Sequence, residues 1–220
     1  MDRDELRSGL GPHGLRSATG IATRKLAMRA MAGSFALMAM AAKSSDAGME
    51  PAISVVNVDE KQLKRLARGN KKLESLLLKA HESIGVEYKW GATSLKRGLD
   101  CSNLTWKLFR SEGFDYRGYL NTRGLAAVEE RNGLCKIDYK NAKAGDLLVY
   151  GFNDGRKWTG HVVILIDRLG KISGHKGLVL GAHGDEVGSV EYVTFRGFDK
   201  KYFKQPEMKL ANVLRVDGLW

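Results

Sequence analysis

Cysteine is scarce in this chain, with two residues among 220. That excludes a disulfide-built scaffold and any four-cysteine zinc site. The five histidines are scattered and form no metal-binding tract. No uninterrupted apolar run reaches the ~18 residues that a membrane-spanning helix needs. Internal repeats, phosphate-binding glycine motifs and low-complexity tracts are also missing. Acidic residues are outnumbered: 36 Lys and Arg against 25 Asp and Glu give a formal net charge of +11. Such a balance suits an anionic partner, whether nucleic acid, a membrane surface or an acidic polymer such as a bacterial wall. A composition of 43% hydrophobic and 28% charged residues is that of a globular domain, not a collagen, a coiled coil or a disordered chain.

The N-terminal region reads as an address. Arg24, Lys25 and Arg29 precede a small and apolar stretch over 30–42, which ends in Ala41-Ala42 before Lys43-Ser44-Ser45. Basic, apolar and small-residue regions in that order form a secretory signal. Cleavage is expected after Ala42 or Ala47, and Met28 is a candidate start for a compact signal. No cysteine follows the apolar stretch, so a lipid anchor is not expected. The alternative is an amphipathic or buried helix.

Beyond the signal the pattern is helical, then extended. Residues 44–57 read as a linker. Leu63, Leu66 and Ala67 share one face of a helix that starts at Asp59 and is broken by Gly69-Asn70. Leu73, Leu76, Leu77, Ala80 and Ile84 recur at helical spacing up to Gly85. His81 falls near that stripe as a packing residue. A third helix spans Cys101 to Glu112, with Leu104, Leu108 and Phe109 inward. Residues 114–142 are mixed and loop-rich, and Cys135 within them reads as a free structural thiol. Strands are expected at 146–150, 161–167, 177–182 and 190–195. Helices followed by strands predict an α+β fold with an antiparallel sheet.

Two features carry chemistry. Cys101, in Leu99-Asp100-Cys101-Ser102-Asn103-Leu104, stands where a loop becomes a helix. The positive end of the helix dipole is expected to lower its thiol pKa. Asp100 or Ser102 can cap the free amides, and spare amides there can receive an oxyanion. The alternative is a buried, inert cysteine. His161 begins a strongly apolar strand directly after a loop, where a rigid backbone holds a general base. His183, ending another strand, is placed to orient it.

The ordered segments Tyr88-Lys89-Trp90-Gly91-Ala92, Asp100-Cys101-Ser102-Asn103, Ala144-Gly145-Asp146-Leu147-Leu148-Val149-Tyr150 and His161-Val162-Val163 resemble the NlpC-type family of cell-wall cysteine peptidases. The likeness extends over about residues 72–195. It implies a papain-like α+β fold, with N-terminal helices packed on an antiparallel sheet. It further implies Cys101 as nucleophile, His161 as base and His183 as third residue, with His175 a weaker candidate. Tyr88, Asp100 and Ser102 map to substrate contacts, the last two to positions that hold a free amine in some members. Trp90 is either core or a substrate wall, and Trp158, read as lying in a loop, is a candidate cleft residue. No metal or organic cofactor is implied.

Ala92 and Asn103 replace the family's usual glycines and add side-chain bulk near the nucleophile. The expected organisation is an export segment over 1–43, a linker and first helix over 44–71, a catalytic domain over 72–200, and an extension of that domain over 201–220. The implied function is hydrolysis of peptidoglycan stem peptides, at the D-γ-glutamyl–diaminopimelate or –lysine bond, by an exported monomer. Alternatives are an N-acetylmuramoyl-L-alanine amidase or toxin-like wall hydrolase, and a non-catalytic wall-binding relative. A nucleic-acid binder is disfavoured because the aromatics are scattered and no binding module is present.

Overall fold

The computed structural model describes residues 53–114, 116, 118–128, 133–153, 158–184, 187–195 and 208–220. The expected export segment, 1–43, and most of the expected linker lie outside them. Three helices lead, as the spacing predicts. α1 (Glu60–Ala67) opens with a reciprocal cap, in which Asp59 Oδ1 accepts from the Gln62 amide at 2.7 Å and Gln62 Oε1 accepts from the Asp59 amide at 2.8 Å. It ends at Arg68, in the left-handed region. Asn70 then caps α2 (Lys71–Glu82), which buries Leu73, Leu76, Leu77 and Ala80. α3 (Cys101–Ser111) buries Leu104, Leu108 and Phe109. Between α2 and α3 lies a small hairpin of β2 (Thr93–Ser94) and β3 (Gly98–Leu99).

The main sheet combines β1 (Ile53–Val55), β4 (Leu134–Lys136), β5 (Leu147–Asn153), β6 (Trp158–Leu169), β7 (Lys176–Ala182), β8 (Val190–Phe195) and β9 (Lys209–Val216). Its order is β1-β8-β7-β6-β5-β9-β4, and every pairing is antiparallel. The molecule is α+β, with the helix that starts at Cys101 packed against the sheet. One face packs Val149, Val162, Ile164, Ile166, Leu178 and Leu180 against the helices. The other buries Tyr150, Val163, Leu165, Val179 and Val213 beneath Met208 and Ala142. Both faces are covered, so the run from Val162 to Ile166 is apolar without alternation.

Three expectations need correction. Residues 53–55, read as linker, form the edge strand β1 on β8. Residues 209–216, read as an extension, form β9, which lies between β5 and β4 inside the sheet. Residues 114–142, read as loop-rich, contain a short helix α4 (Thr122–Ala126) and β4. Short elements with few apolar residues carry little periodic signal. What fastens β9 is a part-buried ion pair: fully buried Asp146 accepts from half-buried Arg215, from Nε at 2.9 Å and Nη2 at 2.8 Å. The Lys143 amide also donates to Asp146, at 2.6 Å. Gly145 before it has φ +89, and a Cβ there would press on Leu73 and Leu219.

Candidate active site

The start of α3 is fixed by Asp100. Its Oδ1 accepts from the Asn103 amide at 2.7 Å and the Ser102 hydroxyl at 2.9 Å, and its Oδ2 accepts from Asn103 Nδ2 at 3.0 Å. A short acceptor just before the first helical residue is what a helix start requires. Cys101 is therefore the first residue of α3. Tyr119 completes this polar network, with its hydroxyl 2.8 Å from Ser102 Oγ and 3.4 Å from Asn103 Nδ2. Asn103, expected to intrude beside the nucleophile, instead turns its side chain back onto Asp100 and Tyr119 and is buried.

The thiol corrects another expectation. Burial outweighs the helix terminus and pushes the Cys101 pKa up to about 12. The Asp100 charge adds to the rise, while the amides of Val162, Ser102 and Cys101 itself, all bonding Sγ, oppose it. Cys101 at rest is a neutral thiol.

The sheet supplies the imidazoles. α3 packs against β6 and β7. His161 stands between Gly160, which lines the cleft, and Val162, whose amide meets the Cys101 sulfur. Ile164 pairs with Leu180 across β6 and β7. Continuing that antiparallel register brings His183 opposite His161, and the two rings lie 5.3 Å apart between centroids. Gly181 leaves the space His183 occupies, since a Cβ there would meet the His183 ring at 3.1 Å. Both histidines are buried. Burial, and then the neighbouring His183, hold His161 well below the ordinary imidazole range. Burial lowers His183 to about 4, with the Glu191 carbonyl opposing. His183 Nε2 lies 3.3 Å from that carbonyl, which can only accept, so Nε2 carries the proton and Nδ1 is a bare acceptor.

A cleft of about 450 Å³ opens over Cys101. Tyr88, Trp90, Asp100, Cys101, Ser102 and Trp158 all line it, whereas His161 and His183 lie beneath its surface. Trp90 is 77% exposed, which makes it a rim residue and not core. Trp158, expected in a loop, begins β6 instead, and its Nε1 donates to Thr122 Oγ1 at 3.1 Å. Its ring lies over Gly151 and against Gly160, where no side chain would fit. His175 is exposed in the turn between β6 and β7, outside the cleft lining. His81 packs against Tyr192, 3.3 Å from its hydroxyl. No disulfide joins Cys135 to Cys101, and the Cys135 thiol donates to Asp217 Oδ1 at 2.9 Å.

Sequence reasoning missed the opposite wall: Tyr119, Asn121, Thr122 and Arg123. Asn121 Oδ1 caps α4 by accepting from the Gly124 amide at 2.9 Å. That Asn at a helix start is the signal that could have found this wall.

The chain is 31% identical over 93 residues to the bifunctional muramidase/DL-endopeptidase CwlT of Bacillus subtilis, covering 42% of this chain and 26% of that protein. It thus spans about a quarter of that curated relative. Two solved structures are similar. An NLP/P60-family protein similar to a lipoprotein, from Staphylococcus aureus, has a TM-score of 0.44 and 19% identity, over 79% of this chain and 45% of that one. An NlpC/P60 family protein from Bacillus cereus has a TM-score of 0.47 and 22% identity, over 65% and 39%. The NlpC/P60 family model matches residues 85–208, a span that holds the capped cysteine, the facing histidines and the cleft, and this chain belongs to the NlpC/P60 family.

Proposed function

We propose that this protein is an exported cysteine peptidase that hydrolyses peptidoglycan stem peptides at the D-γ-glutamyl–diaminopimelate or –lysine bond. The observation that carries the reading is Cys101 at a capped helix start in an open cleft, bordering the neighbouring strands that present the His161–His183 pair. Membership of the NlpC/P60 family supports the reaction class, and the basic charge suits an anionic wall. The order of basic, apolar and small residues over 24–42 supports export.

In this reading substrate enters the cleft and His161 takes the thiol proton as Sγ attacks the scissile carbonyl. The cap occupies the Asn103 amide, and the amides of Cys101 and Ser102, which meet Sγ at rest, take up the oxyanion as the new bond forms. Collapse breaks the C–N bond, and His161 returns its proton to the leaving amine. Water, deprotonated by His161, then hydrolyses the thioester. His183, protonated on Nε2, stands with its ring 5.3 Å from that of His161 and orients it. Asp100 and Ser102 face the cleft where a free substrate amine would bind. Tyr88, Trp90 and Trp158 form aromatic walls.

The test is digestion of purified diaminopimelate- and lysine-type peptidoglycan under reducing conditions, with mass analysis of the fragments. Soluble fragments cut after D-glutamate, absent with Cys101→Ala, are expected. Fragments cut between muramic acid and L-alanine would favour the amidase. Binding to the wall without any release would favour a non-catalytic role.

A further inference from the structure

Among the described cleft residues only two carry formal charge, Asp100 and Arg123. They differ in every respect. Asp100 is buried in the floor, with both carboxylate oxygens engaged by Ser102 and Asn103. Arg123 is exposed on the opposite wall and makes no ion pair among the described residues. Its backbone is nonetheless firmly held. Asn212 Nδ2, on β9, donates to the carbonyls of Leu125 and Ala126 at 3.1 and 2.7 Å. Leu125 is buried, and Thr122 accepts from Trp158 on β6. An anchored arginine with an uncommitted guanidinium suits bidentate recognition of a carboxylate.

A γ-linked glutamyl residue supplies such a group. Its side-chain carboxyl forms the scissile amide, so its α-carboxylate stays free, a short aliphatic spacer from the reacting carbon. In the muramoyl–L-alanine bond the acyl side is a lactyl group whose one carboxyl forms the scissile amide, so no free carboxylate stands beside it. We propose that Arg123 is a specificity-determining residue that binds the α-carboxylate of the γ-glutamyl residue, so that the cleft reads a free carboxylate beside the scissile bond. This rests on the peptidase reading above and sharpens it: stem peptides whose glutamate is amidated are poor substrates. A carboxylate on the diamino acid offers the same chemistry from the leaving side, and the experiment separates the two.

The full chain and its Arg123→Gln and Arg123→Lys variants are assayed with L-alanyl-γ-D-glutamyl-diaminopimelate in three forms: unmodified, amidated at the glutamyl α-carboxyl, and amidated on diaminopimelate. A charged hydrogen-bond pair predicts that glutamyl amidation raises wild-type KM about 10- to 100-fold, with far less change in kcat. Arg123→Gln should show that raised KM with the unmodified peptide and no further penalty from glutamyl amidation, and Arg123→Lys should fall between. A preference that survives in Arg123→Gln, or one that follows amidation of diaminopimelate, would overturn the inference. Binding of the same peptides to the Cys101→Ala chain, followed by tryptophan fluorescence, separates the two levels. Arg123-dependent binding of the carboxylate form without hydrolysis by the wild type would sink the peptidase reading and leave the arginine's role standing. Equal binding of all three forms, or none, would overturn that role.

Discussion

The two sides of the reaction centre are built by opposite means. The helix side is polar and satisfied: Asp100, Ser102, Asn103 and Tyr119 form one hydrogen-bonded network around the start of α3. The strand side is dry, with His161 and His183 buried in the sheet and their pKa values lowered by desolvation. The network fixes where the sulfur stands, and the desolvation fixes the charge state of the imidazoles. Neither the thiol nor the imidazoles are charged at rest, because the same burial that keeps the imidazoles neutral keeps the thiol protonated. Charge separation is thus left to the moment of attack.

Removing either side breaks the comparison outright. Cys101→Ala or His161→Gln should each lower kcat by about 10⁴-fold in peptidoglycan digestion, because the parts of a nucleophile–base unit fail together. A residual rate within tenfold of wild type in either variant would separate that residue from the chemistry.

Next in size is the scaffold behind the strand side. Asp146→Asn leaves the half-buried Arg215 facing a neutral partner and should cost about 3 kcal/mol in urea unfolding. A loss below about 1 kcal/mol would mean that β9 is fastened by its apolar residues alone.

The strand side should also be acid-labile. The folded pKa of His183 lies at about 4, below the ordinary imidazole value of 6.5. Its contribution to stability is therefore complete above pH 6.5 and lost as pH falls toward 4, amounting to about 3 kcal/mol. His161 acts in the same direction. The His183→Gln variant should show a shallower fall of Tm between those pH values than the wild type. Parallel curves would place the acid sensitivity elsewhere.

The same contrast explains what was legible in the sequence. The helix side is contiguous, so Asp100, Cys101, Ser102 and the following apolar spacing could be read together as a capped helix. The histidines are distant in sequence, but each directly flanks a strongly apolar run, and antiparallel register brings them face to face. The wall of Tyr119, Asn121, Thr122 and Arg123 was not legible. α4 has five residues, and only Leu125 among them is buried, so it has no period to detect. The thiol's pKa was misread for a physical reason: a sequence shows the helix terminus but not the burial that outweighs it. Strand β9 was missed because its exposed Lys209 and Ala211 and half-buried Asn212 interrupt the apolar pattern.

The most direct test of a neutral resting pair is the pH dependence of Cys101 alkylation by iodoacetamide, in the wild type and in His161→Gln. Labelling of Cys101 is followed by peptide mass mapping, which separates it from Cys135. A thiol pushed up to about 12 predicts slow labelling at neutral pH that still climbs above pH 9, with the same profile in His161→Gln although that variant no longer hydrolyses. A fast plateau between about pH 5 and 8 that disappears in His161→Gln would reveal a standing thiolate–imidazolium pair and contradict this account.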